Sequence, residues 1–258
     1  LAVYAFLTCR YQLIKYLKKE IRSRSQEKIS NIVMNVKASM VPDYSKKLKW
    51  ALMAVAVAGS LLLFSKPRIF YEQADDGYYV RFYVYGLTNM TTATIPDTYQ
   101  GEKVVGLRGN TFSNMPFLTE VTLPDSITEI RGQAFKNCRS LERVTLPKNL
   151  TYLGGEAFYR CSSLEEVNLP AGLTEIRGNT FEECSSLLRI EIPDNVTRIG
   201  GHAFYGNTSL EEVVISPDSK LQQIGSSAFR CCDSLREITL PRGVSVNERA
   251  FKETPVRI

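Results

Sequence analysis

"GQAFKNCRSLERVTLP" (residues 132–147) returns 23 residues later as "GEAFYRCSSLEEVNLP" (155–170), and again as "GNTFEECSSLLRIEIP" (178–193). A Phe, a Cys, a Leu and a Pro thus recur at one fixed spacing. Followed in both directions, the Phe column is Phe112, Phe135, Phe158, Phe181, Phe204, Phe229 and Phe251, spaced by 23 four times and then by 25 and 22. The Leu column is Leu118, Leu141, Leu164, Leu187, Leu210 and Leu235; the Pro column is Pro96, Pro124, Pro147, Pro170, Pro193 and Pro241. Self-similarity at such a period outranks every local signal, because one supersecondary unit is being reused.

The unit reads L-x-x-[VI]-x-[LI]-P-x-x-[ILV]-x-x-[IL]-x-x-x-[AT]-F-x-x-C-x-S. Its first part alternates apolar and polar residues, which predicts a short strand with one face inward. Pro follows where the chain turns and a missing N–H costs little. A second apolar step ("ITEI", "LTEI", "VTRI") leads to a Gly-containing turn in most copies, and the "AF" pair packs inward on the far side. One unit alone cannot bury its apolar face, whereas stacked units share a continuous core. The two extra residues between Phe204 and Phe229 fall in "ISPDSKLQQI" and read as a loop bulge.

The copies "AFKNCRSLERVTLP", "AFYRCSSLEEVNLP" and "AFYGNTSLEEVVIS" resemble BspA-like (Treponema-type) leucine-rich repeats. The resemblance covers residues 94–258, about seven 23-residue units. It departs from the better-known leucine-rich unit by turning through Pro where that unit carries Asn. It implies a repeat solenoid, right-handed and β-rich with short parallel strands, and roles in surface adhesion and protein–protein binding.

Charge is divided unevenly along the 258 residues. The formal net charge is +5. Residues 1–49 hold 11 Lys/Arg against 3 Asp/Glu, and residues 50–258 hold 21 against 24. Such asymmetry points to a membrane surface or to nucleic acid. The run "WALMAVAVAGSLLLFS" (50–65) carries no charge and is flanked by "KKLK" and "KPR". As a helix it is roughly 24 Å long, short of the ~30 Å bilayer core unless thinning and snorkelling of Lys49 and Lys66 close the gap. A buried core helix and a cleaved signal peptide compete with this reading. Against the signal peptide, the run starts at residue 50 and "AVA" lies inside it, so an uncleaved transmembrane anchor is expected. The basic flank places residues 1–49 in the cytoplasm and the repeats outside, a single-pass membrane protein.

Residues 1–9, "LAVYAFLTC", are apolar and read as the end of another membrane helix; Leu rather than Met at position 1 suits a piece of a longer chain. Within 10–49, Leu13, Leu17 and Ile21 at helical spacing fit either a basic amphipathic helix on anionic lipid or a solvated connector. Residues 66–93 form a linker and a β-hairpin around "DDG", expected to cap the first repeat and cover its edge. At the other end, Val256 and Ile258 in "FKETPVRI" read as the start of another strand, which either closes the solenoid or leaves the far edge for a partner.

Signals for catalysis are weak. His202 is the single histidine, and it occupies a position filled elsewhere by Gln133, Glu156, Asn179 or Ser227, an exposed turn. No nucleophile elbow, phosphate loop or zinc-protease motif occurs. Cys138, Cys161, Cys184 and Cys232 share a column with Met115, Asn207 and Thr254. This substitution pattern favours space-filling free thiols over disulfides or a metal site, although the vicinal Cys231–Cys232 pair is open to oxidation. No cofactor and no metal are expected. Four N-x-[ST] sequons, at Asn89, Asn149, Asn195 and Asn207, mostly sit where turns favour Asn.

The outward columns of the strand are more informative. One reads Glu120, Arg143, Glu166, Arg189, Glu212 and Glu237, alternating in sign until its last rung, which suits a self-satisfied ladder. The next reads Thr122, Thr145, Asn168, Glu191, Val214 and Thr239, small and mostly polar. Concave solenoid faces are the usual binding surface, so these twelve positions are the candidate site for a protein or glycan ligand. Without a basic or aromatic stripe, the face argues against nucleic acid. The sequence therefore reads as a non-catalytic, membrane-anchored cell-surface binding module. The alternative is the extracellular sensor part of a membrane signalling or transport assembly.

Overall fold

The computed structural model describes residues 68–84 and 91–257. The expected membrane segment, the basic segment before it, the sequon at Asn89 and Ile258 lie outside the described residues. No helix among the described residues is long and apolar enough to cross a membrane.

Each 23-residue copy makes one coil of a solenoid with two parallel ladders of strands. The first, the front sheet, runs through β3 (Thr92–Thr94), β6 (Glu120–Thr122), β8 (Arg143–Thr145) and β10 (Glu166–Val167). It continues with the pair β12 (Arg189–Ile192) and β14 (Glu212–Ile215). The back sheet begins with a hairpin, β1 (Arg68–Ala74) and β2 (Gly77–Val84). It then runs through β5 (Glu102–Leu107), β7 (Glu129–Ile130) and β9 (Tyr152–Leu153), with the short β4 (Thr98–Tyr99) antiparallel to β5. A further four strands follow: β11 (Glu175–Ile176), β13 (Arg198–Ile199), β15 (Gln223–Ile224) and β16 (Ser245–Val246). The strands are short because Pro ends the front strand and the Gly-containing turn ends the back one.

A third ladder joins the coils at the "AF" turn. Phe135 N–H donates to Ala157 O (2.8 Å), Phe158 N–H to Thr180 O (2.8 Å) and Phe181 N–H to Ala203 O (2.9 Å). Two residues four apart in six of these turns adopt left-handed φ, for example Gln133 (63°) with Asn137 (61°) and Glu156 (57°) with Arg160 (60°). Non-glycine residues pay a steric penalty there. The bonds to the next coil, made by both residues' N–H groups, offset it: Gln133 to Gly155 O and Asn137 to Tyr159 O.

The core is a set of columns. Phe112 through Phe229 are fully buried, and successive rings from Phe112 to Phe251 lie nearly parallel with centroids 5.0–5.5 Å apart. Each such pair adds about 0.5–1.5 kcal/mol beyond burial. The hairpin starts this stack, since Tyr83 lies 5.0 Å from Phe112 while β2 pairs in parallel with β5. Among the described residues it covers the first coil on the back sheet, and on the front sheet the first strand is β3. Further along, Arg257 bridges to Glu237 in parallel, so the chain there enters another front-sheet rung. Phe251 is half-buried there.

The position of a Phe in this stack sets the consequence of removing it. Phe158→Ala is expected to lower the unfolding free energy by about 3–5 kcal/mol. Phe251→Ala, with a ring neighbour on one side only, should lose roughly half of that or less. Urea denaturation of the two variants checks the ranking.

Candidate interaction face

On the front sheet, alternation buries Val121, Val144, Val167, Ile190, Val213 and Ile238 and turns their neighbours outward. Register then places like positions side by side: Glu120 opposite Arg143, Arg143 opposite Glu166, Arg189 opposite Glu212, Thr122 opposite Thr145 and Glu191 opposite Val214. All twelve sequence-chosen residues lie in these outward columns; eleven are exposed and Val214 is half-buried. Asn168 falls just past β10, and Glu237 and Thr239 flank the last bridge.

The expected charge ladder closes at one rung. Arg189 pairs with Glu212 at 2.7 Å and with Glu191 at 3.6 Å. Arg143, opposite both Glu120 and Glu166, makes no ion pair with either. Cross-strand register brings charges near, but solvent-exposed partners gain too little to hold two long side chains in one geometry.

A third outward column was missed in the sequence: Thr119, Glu142, Glu165, Leu188, Glu211 and Arg236. Strict period-2 counting turns these inward. They sit instead in the bend between the buried Leu and the strand, so two successive residues face out. Five of the six are exposed, and Leu188 is exposed by 50%. Their charged character was the available signal.

The cysteine column is not a reactive centre. The five described cysteines are free. Each buried thiol donates to the carbonyl of the preceding coil's Phe: Cys138 to Phe112 O (3.0 Å), Cys161 to Phe135 O (3.1 Å), Cys184 to Phe158 O (3.1 Å) and Cys232 to Phe204 O (3.3 Å). Thr254 makes the same bond, to Phe229 O at 2.5 Å. Five of the column's seven residues are thus small donors to that carbonyl, which refines the space-filling reading. Burial pushes the Cys138 and Cys232 thiols up to about 12, and Cys161 and Cys184 well above the ordinary range. Cys231 is a left-handed turn residue (φ 59°) whose thiol faces Glu253 at 3.3 Å. It thus points away from Cys232, whose thiol enters the core.

Asn207 breaks the column. It is fully buried, and neither its amide nitrogen nor its amide oxygen has a hydrogen-bond partner. Its sequon is inaccessible in the folded chain. Asn149 and Asn195 are exposed and donate to the corner carbonyls of Asp125 (2.8 Å) and Ala171 (3.0 Å), which accounts for Asn at those turns.

His202 is exposed, left-handed (φ 58°) and 5.5 Å from the Tyr205 ring, a turn residue. An open groove of about 480 Å³ lies where Gly206 leaves no side chain, lined by Arg139, Arg160, Ser162, Glu183 and Ser185. Its Arg160 and Glu183 neutralise each other at 2.8 Å, and Ser162 and Ser185 donate to backbone carbonyls. No group of three His, Cys, Asp or Glu side chains among the described residues is placed to hold a metal ion.

A family model described as BspA type leucine rich repeat region matches residues 107–220 and 156–257, with six copies. Among solved structures, the leucine rich repeat protein of T. pallidum is 29% identical with a TM-score of 0.64, over 69% of this chain and 82% of that one. A leucine-rich repeat protein from Bacteroides ovatus is 27% identical (TM-score 0.64), over 74% of this chain and 51% of that one. A leucine rich cell surface protein from Faecalibacterium prausnitzii is 28% identical (TM-score 0.60), over 74% and 53%. The chain thus spans about half the length of the last two. No protein of curated function matches it.

Two outcomes follow from the thiol column. Asn207→Cys should raise the unfolding free energy by about 1–3 kcal/mol by removing an unsatisfied buried amide and restoring the donor. In the folded chain the thiols stay protonated to about pH 12, whereas unfolded thiols ionise near 8.5. Their contribution is complete below about pH 8.5 and declines as pH rises toward the folded value. Cys138→Thr keeps the donor without the titration. It should lose about 2 kcal/mol less than the parent between pH 8 and 10, measured by denaturation at both pH values.

Proposed function

The chain belongs to the BspA-type leucine-rich-repeat family, and on that premise we propose that its repeats are a non-catalytic, cell-surface binding module for a protein ligand. The observation that carries this reading is the front sheet. Its exposed polar columns repeat in register over six strands, and most of their charges are not neutralised by one another. A solenoid builds one extended surface of this kind rather than a pocket, which suits an extended partner. The similar F. prausnitzii structure is of a leucine rich cell surface protein. Together with the uncharged run at 50–65 and its basic flank, this supports a chain anchored in the membrane with its repeats outside.

A photo-reactive residue placed at Thr145, or at Arg198 on the back sheet, tests both parts on intact cells. The expected result is an adduct from position 145 and none from 198, with the repeats released by externally added protease. Equal adducts from the two sheets, or full protection of residues 94–258, would overturn the reading.

A further inference from the structure

The front face carries a charge equal to the whole net charge of residues 68–257. Residues 68–257 hold 20 Lys/Arg and 24 Asp/Glu, a net of −4. The outward residues of the front sheet account for eight Glu (120, 142, 165, 166, 191, 211, 212 and 237) and four Arg (143, 189, 236 and 257). That is also a net of −4, so the remaining surface balances, sixteen against sixteen.

The two surfaces also differ in how charges are satisfied. Twelve ion pairs form among the described residues, and the front face supplies two of them, both from Arg189. On the back sheet the arginines are engaged. Arg108 reaches Glu72 (3.1 Å) and lies over the Tyr79 ring; Arg131 reaches Glu129 (2.7 Å). Arg177 and Arg198 share Glu175, and Arg131 and Arg177 flank the Tyr152 ring at 5.0 and 4.6 Å.

On the front face, by contrast, like charges stand on neighbouring rungs at Glu142 and Glu165, which appear in none of the ion pairs. Like charges directly opposite one another destabilise a sheet. The same fold shows on its other side how such a column is neutralised, so the front arrangement is not imposed by the solenoid. Leu188, exposed in the middle of this face, adds an apolar contact point for a partner.

We infer that the front face docks a cationic protein segment, an extended stretch bearing Lys or Arg at alternate positions. This rests on the front sheet being the binding face. Strand alternation presents every second side chain of such a segment to one surface. Charge complementarity of this kind sets partner choice and association rate and weakens with salt.

The test uses the purified protein and two labelled decapeptides, alternating Lys-Thr and alternating Glu-Thr, followed by fluorescence anisotropy. The Lys-Thr peptide is expected to bind and to weaken about tenfold between roughly 50 and 300 mM salt, and the Glu-Thr peptide not to bind. Reversing the face with Glu142→Lys, Glu165→Lys and Glu211→Lys should exchange the two preferences. The same charge change elsewhere, Asp97→Lys, Glu102→Lys and Asp218→Lys, should leave them unchanged.

No binding of the Lys-Thr peptide, or equal loss in both triple variants, would overturn the inference, the latter showing bulk charge alone. The two readings fail separately. An adduct from Thr145 on cells combined with a preference for the Glu-Thr peptide sinks only the cationic partner. Binding of the Lys-Thr peptide without any cellular adduct sinks only the surface-module reading.

Discussion

Ring centroids 5.0–5.5 Å apart from Phe112 to Phe251 set the pitch on which the structure depends. Strands joined by backbone hydrogen bonds lie about 4.8 Å apart, so the ring stack and the backbone ladders are commensurate within a few tenths of an ångström. Every other column must accept the same spacing. A residue's nearest neighbours are then its own counterparts one coil away, and whatever stands in a column is judged by whether it tolerates itself. Phe, Leu and Ile do so by packing. Cys and Thr do so by donating to the carbonyl below. Asn207 interrupts the donor series within an otherwise repeating core.

A column whose side chains crowd one another is relieved where glycine interrupts it. On the back sheet the position after the buried Leu or Ile holds Arg108, Arg131, Gly154, Arg177, Gly200 and Gly225. A Cβ on Gly154 would come within 2.3 Å of the Gly132 nitrogen, so only glycine allows the coils to approach there. The vacated space lets Arg131 and Arg177 lie over Tyr152 between them.

Much of this was legible in the sequence because period-23 similarity leaves little freedom. Phe135, Leu141, Val144 and Leu146 could be placed in the core from their columns alone, as could the outward direction of Arg143 and Thr145. The legible part ended where a residue's environment depends on bends or on hydrogen bonds without a compositional mark. Glu142 and Glu165 were missed because the turn before the strand breaks alternation. The third ladder was missed because its left-handed positions hold Gln133, Glu156 and Arg160, where glycine is the usual signal. The thiol-to-carbonyl bonds were invisible because Cys, Thr and Asn look interchangeable by size. The charge ladder was overestimated because register brings Arg143 beside two glutamates without fixing any of the side chains.

The same logic bears on what such a chain can do. A catalytic group needs unlike side chains converging on one point, whereas a solenoid sets like side chains in parallel rows. Chemistry at a point must then come from a rung that departs from its column, and the departures seen here, His202 and Gly206 among them, have no nucleophile and base brought together. A row of unneutralised like charges is a different matter, since each rung adds a little to a single extended potential. That potential costs stability in the isolated chain, because Glu142 and Glu165 repel across one strand spacing. The core columns supply stability in excess of this repulsion. A partner of opposite sign would relieve all of it at once, along the whole length of the sheet.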